Sequence, residues 1–217
     1  MLKIISTSDG SSTIYVPELD EHYHSTFGAI KESLHVFINE GYRSVSTNPL
    51  SVFEMGFGTG LNALLTLYES IKDGRKVDYV SVEKYPLDRD ICNKLNYEDF
   101  FPGYKKSYFS LLHECSWEEN CRITDNFCIH KLQADFHDLH TDRLFDIVYY
   151  DAFAPGKQAE MWSFDILSKA ASLLKPGGVF ITYSAKGQLK RDLVLLGFRV
   201  EHRPGPAGKR HISRAVK

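Results

Sequence analysis

Cysteine is scarce in this chain. Cys92, Cys115, Cys121 and Cys128 are the only four in 217 residues, and no two form a C-x-x-C pair. That excludes a disulfide-stapled secreted module, and the thiols are expected to stay free in a reducing compartment. His113 with Cys115, Cys121 and Cys128 lacks the spacing of a common zinc site, so no metal is expected. An excess of one charge is missing too: 26 Lys and Arg face 28 Asp and Glu, a formal net charge of -2. The chain as a whole therefore signals neither nucleic acid nor membrane. No apolar run approaches the roughly 20 residues of a membrane span, and the N-terminus has no signal-peptide core. A cytoplasmic protein is the expectation. Internal repeats and low-complexity segments are absent as well.

What is present is an ordinary globular composition, 43% hydrophobic and 25% charged, with length for one full core. Residues Leu2–Thr7 and Thr13–Val16 read as a hairpin around Ser8-Asp9-Gly10-Ser11. A polar stretch over 17–25 precedes a helix over Thr26–Asn39, with Phe27, Ile30, Leu34, Phe37 and Ile38 on one side and Gly41 as its stop. This front part, residues 1–45, is expected to cap a main domain over 46–217.

In the main domain strands and helices alternate. Strands are predicted at Ser51–Met55, Val77–Glu83, Phe127–Leu132, Phe145–Tyr150 and Val179–Ser184, with an antiparallel pair at Phe198–His202 and His211–Ala215. Helices are predicted at Leu61–Lys72, Pro86–Leu95, Glu160–Leu174 and Gln188–Leu196; Tyr97–Asn126 reads only as aromatic-rich and helical in its middle. Seven strands interleaved with helices describe a doubly wound, Rossmann-like α/β sheet.

The glycine-rich turn Glu54-Met55-Gly56-Phe57-Gly58-Thr59-Gly60-Leu61-Asn62 joins the first of these strands to its helix. Glycine allows positive φ and close backbone approach, and the helix start offers free N–H groups. In the dinucleotide pattern G-x-G-x-x-G a third glycine would stand where Leu61 is, and no Lys-Ser/Thr pair follows for a phosphate loop. E-x-G-x-G-x-G instead resembles the first motif of S-adenosylmethionine-dependent methyltransferases. That resemblance implies that Glu54 and the loop backbone hold the methionyl part of the cofactor.

Four strands end in an acid or have one just beyond: Glu54, Glu83, Asp135 and Asp151. Ligands of open α/β sheets bind beyond those ends. Glu83 stands where an acid takes a ribose hydroxyl pair. Asp135 resembles the position that accepts from an adenine amino group. Asp151 opens Asp151-Ala152-Phe153-Ala154-Pro155, where a carboxylate can orient an amine beside the methyl donor and Phe153 can stack on a flat substrate.

Several segments together resemble one family. They are Gly56-Phe57-Gly58-Thr59-Gly60-Leu61-Asn62, Glu83-Lys84-Tyr85-Pro86-Leu87, Asp151-Ala152-Phe153-Ala154-Pro155 with Glu160-Met161-Trp162, Lys175-Pro176-Gly177-Gly178 and Gly208-Lys209-Arg210-His211, led by Tyr23-His24-Ser25. In order and spacing they are similar to the methyltransferase domain of the MnmC-type tRNA modification enzymes. The resemblance implies a class I methyltransferase fold. It also implies S-adenosyl-L-methionine as cofactor and methylation of the amine of 5-aminomethyl-2-thiouridine at the tRNA wobble position. The FAD-dependent oxidase domain of bifunctional members has no room here, so a separate enzyme, in transient contact with this one, is expected to supply the amine.

Asp151 is the expected catalytic residue. Cofactor contacts are expected at Glu54, Gly56, Phe57, Gly58, Thr59, Gly60, Asn62, Glu83, Lys84, Asp135 and Asp151. Substrate contacts are expected at Tyr23, Ser25, Phe153, Pro155 and Trp162, at Tyr183 and Ser184, and at Lys209 and Arg210. From Ser184 to Lys217 nine basic residues meet only Asp192 and Glu201, a local footprint suited to the phosphates of an anticodon arm. Two other functions fit the same fold: a small-molecule amine N-methyltransferase or aminopropyltransferase, and a non-catalytic RNA-binding protein.

Overall fold

The computed structural model describes all residues, Met1–Lys217. At the front, β1 (Lys3–Ser6), β2 (Ser12–Val16) and a short β3 (Glu21–His22) form a three-stranded antiparallel sheet. The predicted first helix is present as α1 (Ala29–Ser33), which widens into a π-helical coil over Leu34–Asn39.

The remaining strands are β4 (Leu50–Met55), β5 (Val77–Glu83), β6 (Asn120–Thr124), β7 (Phe127–Gln133), β8 (Phe145–Tyr150), β9 (Leu174–Thr182), β10 (Arg199–Pro204) and β11 (His211–Val216). They make one sheet in the order β10-β11-β9-β8-β4-β5-β7-β6. From β9 through β7 the neighbours are parallel; β11 runs against both of its neighbours, and β6 runs against β7. The sheet thus has eight strands where seven were predicted. The extra one, β6, comes from the segment that showed no clear period.

The strands alternate their side chains between two apolar clusters. Leu50, Val52, Tyr79, Ile147 and Tyr149 join one, with α2 (Leu61–Asp73) and α4 (Ser107–Glu114). Phe53, Met55, Val80, Val148 and Tyr150 join the other, with α5 (Phe164–Ser172) and α6 (Gly187–Leu195). Covering on both faces explains why the central strands read as unbroken apolar runs.

Two predicted helices of the main domain differ from the sequence reading. The one expected over Pro86–Leu95 is only a single turn, α3 (Arg89–Cys92), started by Asp88, whose carboxylate accepts the Asp90 N–H at 2.8 Å. The helix expected from Glu160 begins at Phe164, because Ala159–Trp162 form a separate 3-10 turn. That helix also ends early, at Ser172: β9 starts at Leu174 and runs through Pro176-Gly177-Gly178, since Gly177 N–H and Gly178 C=O both pair with Lys217. Cys115 and Cys121 are joined as a disulfide, against the expectation of free thiols. The turn between α4 and β6 brings their Cα atoms to 6.0 Å, within bridging range. No helix is long and apolar enough to cross a membrane.

Candidate active site

The parallel strand order reverses between β4 and β8, the place where such sheets bind ligands. A cavity of about 590 Å³ opens there. Its floor is the glycine loop, with Gly56, Gly58 and Gly60 at φ 85, 50 and 74°. A Cβ on Gly58 would come within 3.1 Å of the Tyr23 ring, so loop and cap are packed as closely as glycine allows. Thr59 is held from two sides. His24 Nε2 shares a hydrogen bond with its hydroxyl at 2.7 Å, and His113 Nε2 lies 3.1 Å from its carbonyl oxygen. Burial pushes both imidazoles down to about 4, so both are neutral at physiological pH.

Glu83 ends β5 with its carboxylate against the loop: Oε2 accepts from Gly58 N–H at 3.0 Å and Oε1 from Tyr85 N–H at 2.9 Å. Beyond β7, Asp135 is bound by Lys84 at 2.7 Å and by His137 at 2.7 Å. These bonds, Lys84's first, hold its carboxyl far below the usual carboxylate range.

Asp151 follows β8. Its Oδ2 accepts from Asn62 Nδ2 at 2.8 Å, which ties it to the first turn of α2. Burial raises its pKa from 3.8 to about 7; the Asn62 bond and the Lys209 cation pull down and the Glu32 carboxylate pushes up. Around it, Tyr183 O–H donates to Ala152 C=O at 2.8 Å, and Tyr23 and Phe153 meet edge to face with centroids 5.1 Å apart. Lys209 forms an ion pair with Glu32 and lies 4.0 Å over the Tyr183 ring.

Most residues singled out from the sequence share this one cavity. Its wall includes Tyr23, Ser25, Gly56, Phe57, Gly58, Thr59 and Asn62, then Glu83, Lys84, Asp135, Asp151, Phe153, Tyr183 and Lys209. Six stand elsewhere. Glu54 is 1% exposed and lies behind the loop, on the β4 face that packs under α2. Gly60 caps α2 in the left-handed conformation. Trp162 is buried and donates its indole N–H to Phe153 C=O at 2.7 Å, so it supports the wall without facing the cavity. Ser184 is buried, while Pro155 and the exposed Arg210 lie off the wall.

The sequence reading missed Glu32, Phe27, His137 and Gln158, all of which line the cavity. Glu32 carries no such signal in the sequence: it lies off the apolar stripe of the predicted helix, and only its contacts in the fold bury it. The basic footprint is smaller than it looked. Arg199 and Arg214 pair with Glu201, Arg203 with Glu40 and Lys209 with Glu32.

Residues 105–217 match the family described as S-adenosyl-L-methionine-dependent methyltransferases. The chain belongs to that family. The methyltransferase is also similar to two bifunctional proteins named tRNA 5-methylaminomethyl-2-thiouridine biosynthesis protein MnmC. The one from Cupriavidus metallidurans is 30% identical over 96% of this chain and 33% of its own length. The one from Pseudoalteromonas atlantica is 32% identical over 96% of this chain and 33% of its own length. The chain thus spans about a third of the length of the curated relatives it matches. Among solved structures, MnmC2 from Aquifex aeolicus superposes with a TM-score of 0.80 at 25% identity, covering 99% of this chain and 69% of that one.

The cavity fits S-adenosyl-L-methionine, the methyl donor of this family. The open glycine backbone, the Glu83 carboxylate and the Lys84–Asp135 pair lie in sequence along its wall. They combine room for close backbone approach, a carboxylate and an ion pair.

Proposed function

We propose that this methyltransferase transfers the methyl group of S-adenosyl-L-methionine to the primary amine of 5-aminomethyl-2-thiouridine at the wobble position of tRNA. The product would be 5-methylaminomethyl-2-thiouridine, the nucleoside named in both MnmC relatives. One observation carries the chemical part of this reading. Asp151 presents a carboxylate into the cavity, held by Asn62 at the end of the glycine loop, with its pKa near 7.

S-adenosyl-L-methionine, when bound, supplies a methyl group already activated on a sulfonium. The protein has to bring a neutral amine into line with it, and orientation of this kind accounts for most of the acceleration. Asp151 accepts a hydrogen bond from the amine and so aims the nitrogen lone pair. The new N–C bond forms as the C–S bond breaks, its electron pair passing to sulfur. The nitrogen then sheds one proton, which Asp151 takes and passes to water, a role suited to a group titrating near the working pH. Phe153 and Tyr23 offer aromatic surface for a flat thiouracil ring. Lys186 and Arg210, both exposed, remain available for phosphates.

The test is mass spectrometry of tRNA nucleosides from cells lacking this protein. Accumulated 5-aminomethyl-2-thiouridine is the expected result. An unchanged nucleoside profile, with turnover of free amines by the purified protein, would replace this reading with the small-molecule one.

A further inference from the structure

Glu54 is the acid of the glycine motif, yet it does not reach the cavity. It shares the β4 face of Leu50 and Val52, which packs beneath α2. Its side chain is 1% exposed, and Oε2 accepts from Ser81 O–H at 2.8 Å. The other groups acting on it are Tyr79 of β5, Asn62 of α2, Tyr149 of β8 and Asp151 just beyond β8. None of these is a cation.

Three buried polar atoms on these neighbouring side chains carry no hydrogen bond of their own: Glu54 Oε1, Asn62 Oδ1 and the Tyr79 hydroxyl. Glu54 has no ion-pair partner, and an unpaired carboxylate this deeply buried is far costlier than the neutral acid. If Glu54 is ionised, the Tyr79 proton and the second Asn62 N–H are the donors left to it, and its charge still has no cation beside it. If Glu54 is a neutral acid, its own proton is a further donor, available to the unpartnered Asn62 Oδ1. The Asn62 amide is then fixed with its oxygen toward Glu54 and its nitrogen toward Asp151, where the 2.8 Å bond is found.

We propose that Glu54 works as a neutral carboxylic acid, a positioning residue that holds the Asn62 amide so that Asn62 can hold the Asp151 carboxylate. The inference rests on the role given to Asp151 above. Burial agrees with it, raising the Glu54 pKa from 4.5 to about 8. A single negative charge then sits beside the incoming amine, on Asp151. The two neighbouring acids divide the work: one keeps its proton to build the site, and the other gives its proton up to use it. The tyrosine, the serine and the amide are thus the frame around Asp151, not contacts to the cofactor.

Three measurements test this. Infrared spectra of the ligand-free protein at neutral pH should show a protonated carboxyl stretch that disappears in Glu54→Gln. Only carboxylate bands at that site would overturn the proposal, whatever the substrate proves to be. Glu54→Gln keeps a neutral donor, so cofactor affinity and single-turnover methylation should stay within about threefold of wild type. A fall of tenfold or more in cofactor affinity, on the order of 1.4 kcal/mol, would instead assign Glu54 to the cofactor as a carboxylate. Glu54→Met removes the donor. Its kcat should fall by about tenfold to a hundredfold, and the acidic limb of its pH–rate profile should move up as Asp151 loses its hold. An unmoved limb with normal kcat would leave Glu54 a packing residue and overturn the proposal. If wild type itself methylates no tRNA, the function assigned above fails, and the infrared result still judges this one.

Discussion

Replacing Asp151 by asparagine should make the ligand-free protein more stable while nearly abolishing its activity. Burial lifts this carboxyl from 3.8 to about 7, so the folded protein holds the proton more tightly than the unfolded chain does. Below about pH 4 both states are protonated, and the group costs nothing. As pH rises toward the folded value near 7, the wild type loses stability, and above it the loss levels off. The full interval corresponds to roughly 4 kcal/mol, and because the side chain is half-buried, about 2–4 kcal/mol is the range to expect. Asparagine carries no charge at any pH and keeps the shape. Urea unfolding of both proteins across this pH range, without cofactor, should show a gap that opens from acid to neutral pH and then stays constant. Adding S-adenosyl-L-methionine should narrow it, because a bound cation favours the ionised wild type. Methyl transfer by the variant should be slower by roughly a hundredfold or more. A stability difference independent of pH, or a variant less stable at alkaline pH, would refute the claim that burial burdens Asp151.

Glu83→Ala should weaken S-adenosyl-L-methionine by about 1–3 kcal/mol in calorimetry, and an unchanged affinity would remove Glu83 from the cofactor site. Gly58→Val forces a branched side chain onto φ 50° against the Tyr23 ring, so cofactor affinity should drop by about tenfold or more with circular dichroism unchanged; full affinity would mean that the loop can move aside. Arg210→Ala should lower the salt slope of tRNA binding by about one, whereas Lys209→Ala should leave that slope nearly intact because its charge is already paired with Glu32. Lys209→Ala should also raise the acidic limb of the pH–rate profile, since Lys209 helps keep Asp151 ionised; a limb that stays in place would show that the two do not interact.

The strands and the acids at their ends were legible because a doubly covered parallel sheet writes its strands as apolar runs between turn signals. Phe145–Tyr150 is the clearest case, with all six residues buried. The same continuity hides which face each residue takes. Glu54 could be placed at a strand end from its neighbours, but with apolar residues on both sides no alternation showed that it turns under α2, away from the cavity. β6 was missed for the opposite reason: it is an edge strand with the pattern Asn-Cys-Arg-Ile-Thr, more polar than apolar, and it is held by β7 alone. The basic run near the C-terminus was counted correctly but read as free charge. The acids that neutralise Lys209 and Arg203, Glu32 and Glu40, lie in the front part of the chain, and a window of neighbouring residues cannot include them.

Those pairings have a consequence for how the enzyme is made. Glu32 meets Lys209 across 177 positions, His35 meets Pro204 across 169 and Glu40 meets Arg203 across 163. A chain emerging from the ribosome N-terminus first builds the hairpin, the glycine loop and the strand that carries Asp151 well before the segment that completes the wall. During that interval Glu32 lacks the cation that pairs with it in the finished pocket. Synthesis of residues 203–209 supplies that cation and ties the C-terminal strands to the front part of the chain. Folding of the active site is therefore a late event, and a chain cut short before residue 203 should carry a recognisable glycine loop and no working enzyme.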